Sequence, residues 1–433
     1  MSTTSRAEAH LLSGPRSRHF GRVALLVLLA VMLTFGSAAA LVYHNLQSNI
    51  RQTDVNDLLG RDPDDQAPID KAEGRPLNIL VLGSDIREGD SDVDGSGAAG
   101  VTEGMRADTT MLFHVSEDRS RVDVVSIPRD LLVDIPSCTV RTGEDFEETF
   151  DTEPSYDAMF NAAFSYGGQT GDVPSAAACS MKTVENMTGI HLDGYVVVNF
   201  ASFKDVVEAL GGIPMYFEEA LYDEYAGLDV PAGCRLLDGE QSLALARARK
   251  MIGDGSDISR IGRQQELVFA IINEAKNMNL FTDLTTLYRV LQAATANLDT
   301  SEGLGDIPTL VGLANSMRNI NLDNVNFITT PWEPAGNRVS LTPEASTLWN
   351  ALAEDHPVSV ATDESGNISV RDLILDPPTA PDPTPEDPTP SDPNSEEPGE
   401  ETPSPEETTV EAAPAPSEEA STAPVCNRQN AQG

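Results

Sequence analysis

Asn78-Ile79-Leu80-Val81-Leu82-Gly83 is a short apolar run that ends on glycine and leads into Ser84-Asp85-Ile86-Arg87. So short and apolar a run, rich in branched side chains, reads as a buried strand. Thr109 to Val115, Arg121 to Ile127, Tyr195 to Phe200 and Val325 to Thr330 read the same way. Ala176 to Met187, Phe203 to Leu210, Gln241 to Arg249 and Arg263 to Lys276 carry helical spacing, and Gly211-Gly212 stops the second of these. Strands alternating with helices predict an α/β layered domain.

Upstream of that domain, Val23 to Tyr43 holds no charge, and Arg6, Arg16, Arg18 and Arg22 precede it. About 20 apolar residues suffice for a helix to cross a bilayer, and preceding arginines put the N-terminus in the cytoplasm. Ser37-Ala38-Ala39-Ala40 offers a cleavage site, the alternative of a signal peptide, but the run is long for one. Either way the remainder is exported, where Cys138, Cys179, Cys234 and Cys426 read as disulfide formers. Cys138 with Cys179 is the favoured pair, because the two bracket an acidic, turn-rich excursion. Past Pro377 the chain is dominated by Pro, Glu, Asp, Ser and Thr, with no Lys or Arg between Asp372 and Arg428. Such a segment cannot bury enough apolar surface to order itself. The expected organisation is a cytoplasmic N-terminus over 1–22, a membrane anchor over 23–43, a stalk over 44–75, a folded domain over 76–360 and a disordered acidic tail over 361–433.

A net charge of -41, with only 28 Lys and Arg in 433 residues, argues against nucleic-acid binding. It also makes local basic clusters informative. Arg247, Arg249, Arg260 and Arg263 fall within 17 positions, around the Gly-rich turn Gly253-Asp254-Gly255-Ser256. Guanidinium forks grip phosphate oxygens bidentately. Arg260 and Gln264 share a helix face if that segment is helical. Asp85, Arg106-Ala107-Asp108 and Arg129-Asp130 stand at strand ends, where α/β proteins place ligands. Asp85 and Asp108 could converge on one Mg²⁺, although an Asp after a strand is commonly a cap or a turn former.

Taken together, Asn78–Arg87, Arg106–Thr110, Ser126–Pro136, Phe160–Gly168 and the Arg247–Gln265 segment resemble the LytR–CpsA–Psr family of cell-wall phosphotransferases. Cys138, Cys179 and Gly253–Ile258 give the resemblance an actinobacterial cast. It implies a three-layer α/β/α sandwich with a central mixed sheet and an apolar tunnel for a polyprenyl chain. Asp85 and Asp108 match the positions that hold Mg²⁺ (or Mn²⁺). Arg129, Arg247, Arg249, Arg260 and Gln264 match those that grip the diphosphate, Arg106 matches less securely, and Asp257 matches an acidic residue beside them. Asp85, Asp108, Arg129, Arg249 and Asp257 are therefore the expected catalytic set. Two departures stand out: Met159 and Phe160 occupy a place where the family often carries Lys, and the loop between Asp85 and Asp108 is long.

The function these implications predict is transfer of a glycopolymer from a polyprenyl-pyrophosphate carrier to peptidoglycan, outside a single-pass membrane anchor. The alternatives are transfer of the same glycan to a surface glycoprotein, hydrolysis of the pyrophosphate by the same site, or a non-catalytic module that binds polyprenyl lipid or wall polymer.

Overall fold

Side chains alternate across a strand, so an apolar run can pack against two layers at once. Leu77–Ser84 does this in the computed structural model, which describes residues 16–61, 74–84, 105–253, 255–278, 284–296, 298–318, 320–362, 368–375 and 426–431. Leu80 and Leu82 are fully buried in one hydrophobic cluster, while Leu77 and Ile79 pack in another. Seven strands form the sheet: β1 (Ile50–Thr53), β2 (Leu77–Ser84), β3 (Ala107–Val115), β4 (Val122–Ser126), β5 (Gly194–Asn199), β6 (Leu298–Ser301) and β7 (Val325–Thr329). Their spatial order is β1-β6-β5-β2-β3-β4-β7. The sheet is mixed: β2 runs antiparallel to β3 and parallel to β5, and β4 runs antiparallel to β3 and parallel to β7.

Helices cover both faces. α1 (Arg16–Asn49) precedes the sheet, and α2 (Val173–Thr188) packs on the face that buries Leu80, Leu82 and Leu112. Asp172 caps α2 by accepting from Ser175 N, and Gly189 closes it in the left-handed region. α3 (Phe200–Leu210), α4 (Gly239–Arg247) and α5 (Asp257–Asn277) share a second cluster with the strands Ile213–Phe217 and Leu228–Val230. α5 also joins α6 (Ile307–Met317) over the face that presents Met111, Val115 and Val124. α7 (Glu344–Ala353) lies with α2. Sheet between helical layers is the expected sandwich.

Three boundaries differ from expectation. Residues 44–75 do not form a stalk over their described part. Leu46, Val55 and Leu58 are buried, Ile50 starts β1, and β1 pairs in parallel with β6 at the sheet edge. Gln47 ties the end of α1 to Gly305 and Ile307 through its side-chain amide. Ile50-Arg51-Gln52-Thr53 has only one large apolar residue, because an edge strand needs no more. Next, the folded region passes 360: Val358–Thr362 and Ile368–Asp372 make an antiparallel hairpin. Finally, the chain end returns to the domain. Cys426 bonds Cys234, and Arg428 reaches the carbonyls of Leu210, Gly211 and Gly212 and the buried Glu274. The stretch 376–425, expected as a disordered tail, lies outside the described residues.

Cys138 and Cys179 form the other disulfide, which pins the segment after β4 to α2. Arg22–Asn49 within α1 is long and apolar enough to cross a membrane, at 28 residues or about 42 Å of helix against a hydrocarbon core of about 30 Å. From Val23 to Tyr43 its apolar side chains, among them Leu33, Phe35 and Leu41, are exposed.

Candidate active site

Beyond the C-terminal end of β2 and the start of β3 opens a cavity of about 710 Å³. Strand register sets its polarity. Gly83 pairs with Thr109, Val81 with Met111 and Ile79 with Phe113. Asp108, Thr109 and Gly83 therefore line one end, and Val81, Met111 and Phe113 line the depth behind it.

The same gradient runs along α5. Ser256 caps this helix, accepting from Ser259 N, so it begins at Asp257, six residues before the expected Arg263. Arg260, Gln264, Leu267, Val268 and Ile271 then face the cavity in turn. At a rise of 1.5 Å per residue, guanidinium gives way to branched hydrocarbon over about 16 Å. Phe200 and Phe203 of α3 and Leu243 of α4 complete the apolar wall. At the charged end stand Arg129, Arg247, Arg249 and Lys250.

The charges are tightly arranged. Arg129 Nη1 donates to Asp108 Oδ1 at 2.6 Å, and its Nε lies 3.2 Å from Asp257 Oδ1. Arg260 Nη2 is 2.5 Å from the same Asp257 oxygen and donates to the Asp108 carbonyl at 2.9 Å. The contacts to Asp257 lie within ionic distance but lack hydrogen-bond alignment: both of its buried oxygens, and the buried Nε of Arg129 and of Arg260, have no aligned partner. Arg129 and Arg260 line the cavity, and Asp257 lies behind them. Burial pushes the Asp257 carboxyl above the ordinary range despite Arg260 and Arg129 beside it. For Arg129, burial opposes the charge, but Asp108, Asp257 and Asp130 outweigh it and raise its pKa.

Gln264 donates to the Ala246 carbonyl at 3.0 Å, so α5 is stapled to α4 at the level of the arginines. Arg247 lies over the Phe200 ring, 5.2 Å from its centroid. Arg249 Nε donates to Gly255 O at 3.2 Å, and its guanidinium faces Asp130 at 3.8 Å. The structure thus brings together Asp108, Arg129, Arg247, Arg249, Asp257, Arg260 and Gln264 from four separate stretches of chain. Arg106 is the exception: it is exposed and does not line the cavity, and just before β3 its carbonyl accepts from the Ser84 hydroxyl. Asp85 lies outside the described residues.

Three residues in or beside the mouth, of which Asp223 and Lys250 line the cavity, are not legible in the sequence. Asp223 is buried and accepts backbone N–H groups from Tyr225, Ala226, Arg249 and Met251. Lys250 sits 4.0 Å over the Tyr225 ring, and Arg338 lies 3.7 Å from Asp130. Of the two described carboxylates that line the cavity, Asp223 has both oxygens taken by backbone N–H groups, which leaves Asp108, a third exposed, for a divalent ion. Mg²⁺ takes one or two carboxylates with phosphate oxygens and water, and Asp108, whose Oδ1 pairs with Arg129, is one such carboxylate. Among the described residues, no group of three or more His, Cys, Asp or Glu is placed to hold a metal ion.

The LytR_cpsA_psr family model matches residues 41–355. The chain belongs to that family. Its relatives include the probable cell wall biosynthesis protein LcpB of Corynebacterium glutamicum, 30% identical over 229 residues, which are 52% of this chain and 48% of that one. The chain thus spans about half the length of that relative. The polyisoprenyl-teichoic acid–peptidoglycan teichoic acid transferase TagU of Bacillus licheniformis is 28% identical over 261 residues, 60% of this chain and 72% of that one. Among solved structures, a LytR-Csp2A-Psr enzyme from Actinomyces oris aligns over 64% of this chain and 89% of its own, at 21% identity and a TM-score of 0.45. The family match begins at residue 41, close to where the chain joins the sheet, rather than at the expected boundary of 76.

Proposed function

We propose that this protein is an extracytoplasmic phosphotransferase that moves a glycopolymer from a polyprenyl-pyrophosphate carrier to peptidoglycan. The observation that carries this is the cavity graded along α5, from Arg260 and Gln264 to Leu267, Val268 and Ile271. A ligand matched to it is anionic at one end and a long hydrocarbon at the other. TagU supports the choice of substrates, since its name pairs a polyisoprenyl-linked donor with peptidoglycan. The exposed apolar helix α1 anchors the domain at the membrane that holds such a donor, with the N-terminal arginines on the cytoplasmic side.

In this account the isoprenoid lies between α5 and the β2–β3 face, and the diphosphate sits among Arg129, Arg247, Arg249 and Arg260. An acceptor hydroxyl attacks the glycan-proximal phosphorus. A new P–O bond forms to the acceptor, the bond to the bridging oxygen breaks, and polyprenyl phosphate leaves. Such a transfer needs positioning and charge neutralisation more than covalent help, which is what fixed guanidinium groups supply. Asp108, with Asp85, would hold Mg²⁺, which supplies further neutralisation of the diphosphate oxygens. Asp257, clamped between Arg129 and Arg260, orients both guanidiniums. Asp130, nearer the solvent, accepts the hydroxyl proton.

The test is a transfer assay with the full chain in detergent, a polyprenyl-pyrophosphate-linked oligosaccharide and peptidoglycan. The expected products are polyprenyl monophosphate and a phosphodiester on the wall polymer, in equal amounts. Release of free glycan phosphate with no acceptor product would instead identify a pyrophosphatase.

A further inference from the structure

A row of alternating charges leads out of the cavity mouth. It runs Arg260, Asp257, Arg129, Asp130, Arg338, and its inner contacts are close, at 2.5 and 3.2 Å. The outer contacts are loose: 3.8 Å from Arg129 to Asp130 and 3.7 Å from Asp130 to Arg338. Side-chain exposure rises from 6% at Arg260 to 36% at Arg338. The row therefore passes from the buried end of the site to solvent.

Arg338 is held at its place by backbone. It begins the return strand of the hairpin Trp332–Ala335 and Arg338–Leu341, just past the turn at Gly336, whose φ of +67° suits glycine. That hairpin is fastened to the segment carrying Arg129 and Asp130: Val339 N donates to the Asp130 carbonyl at 3.4 Å, and Leu131 bridges to Val339. Asp130 at 3.7 Å is the contact the structure gives the Arg338 guanidinium, too long for a directed hydrogen bond. Among the described residues no directed hydrogen bond takes its donors, and the Asp130 it approaches also meets Arg129 and Arg249 of the cavity lining.

We infer that Arg338 is the outermost phosphate-binding side chain of the site and contacts the glycan-proximal phosphate of a prenyl diphosphate. This role for Arg338 rests on the carrier-lipid function proposed for the site. A lipid whose hydrocarbon lies along α5 brings its own phosphate to Arg260 and Arg129 first. The second phosphate must lie further out along the row. There the deep guanidiniums are already partly matched by Asp108 and Asp257, whereas Arg249, which lines the cavity, and Arg338 beyond it approach Asp130 only loosely, at 3.8 and 3.7 Å, and keep donors for a phosphate. The Arg338 fork can grip two oxygens of the phosphorus under attack, while Asp130 beside it receives the acceptor's proton.

The experiment titrates the full chain in detergent with geranylgeranyl pyrophosphate and, separately, with geranylgeranyl monophosphate, by calorimetry. Arg338→Ala should weaken pyrophosphate binding about tenfold, the loss of one charge-assisted contact, and leave monophosphate binding within about twofold. Arg338→Lys, which keeps charge but not the fork, should recover part of the loss. An Arg338→Ala chain that weakens both ligands equally, or neither, overturns the assignment. Wild-type protein that binds neither lipid would sink the carrier-lipid reading itself, and the Arg338 inference with it.

Discussion

Replacing Asp223 with alanine should loosen the mouth of the cavity and destabilise the domain together. The residue is 1% exposed. One carboxylate oxygen accepts from Tyr225 N and Ala226 N at 3.0 and 3.3 Å, and the other from Arg249 N and Met251 N at 3.0 and 3.3 Å. A single side chain thus ties the turn that carries Tyr225 to the loop that carries Arg249. Hydrogen bonds to a charged group contribute about 1.5–3 kcal/mol each when they are well made. Counting only the two at 3.0 Å gives a loss of about 4 kcal/mol, or roughly 8–16 °C in midpoint for a domain of this size. Asp223→Asn keeps one acceptor oxygen and should lose about half as much. Transfer should fall more steeply than stability at 25 °C, because a shift of about 1 Å in a positioning group can slow a reaction about 100-fold.

The pH dependence has a definite sign. Burial opposes ionisation of Asp223, but the N–H groups of Arg249, Met251, Ala226 and Tyr225 outweigh it and hold its pKa below the ordinary carboxylate value. A depressed carboxylate stabilises the fold above its unfolded pKa, about 3.9, and loses that contribution as pH falls through the folded value. The gap between wild type and Asp223→Ala, measured by thermal unfolding, should therefore be full at pH 7 and narrow below about pH 4. If the variant unfolds within 2 °C of wild type at pH 7 and transfers at the wild-type rate, the carboxylate does not hold this loop and the reasoning is wrong.

Other perturbations should separate the charged end from the apolar end. Arg249→Ala should lower kcat about 100- to 1,000-fold in the transfer assay, the usual cost of losing one preorganised charge at a reacting centre, with Arg249→Lys only a partial rescue. Val268→Trp projects an indole into the hydrocarbon depth, so it should abolish calorimetric binding of a prenyl pyrophosphate while inorganic pyrophosphate still binds. Cys138→Ser opens a loop of 41 residues in sequence separation, which should cost about 4 kcal/mol by chain entropy in a urea titration. A loss under 1 kcal/mol would mean that the excursion after β4 is held by packing instead.

Much of this design can be read from the chain, and the exceptions have physical causes. Strands β2, β3, β4, β5 and β7 are legible because burial against two layers demands apolar-rich runs such as Ile79–Leu82. The arginine cluster is legible because Arg247, Arg249 and Arg260 stand close in sequence in an acidic chain. β1 is not, because an edge strand with one buried side chain looks polar. Asp223 and Arg338 are not, since an Asp in a turn-rich stretch and an Arg beside a Gly-Asn turn acquire their meaning only from partners 26 and 208 residues away. Arg106 is misleading in the other direction: it neighbours Asp108 in sequence yet stays outside the cavity. The return of Cys426 and Arg428 to the domain is a long-range docking that composition hides behind an acidic, proline-rich stretch.

The decisive measurement is a crystal structure of the chain loaded with a prenyl pyrophosphate. The account predicts hydrocarbon density running beside Leu267, Val268 and Ile271, with both phosphates among Arg129, Arg249 and Arg260. Density for the ligand on any other surface, or a cavity that stays empty while transfer proceeds, would contradict it.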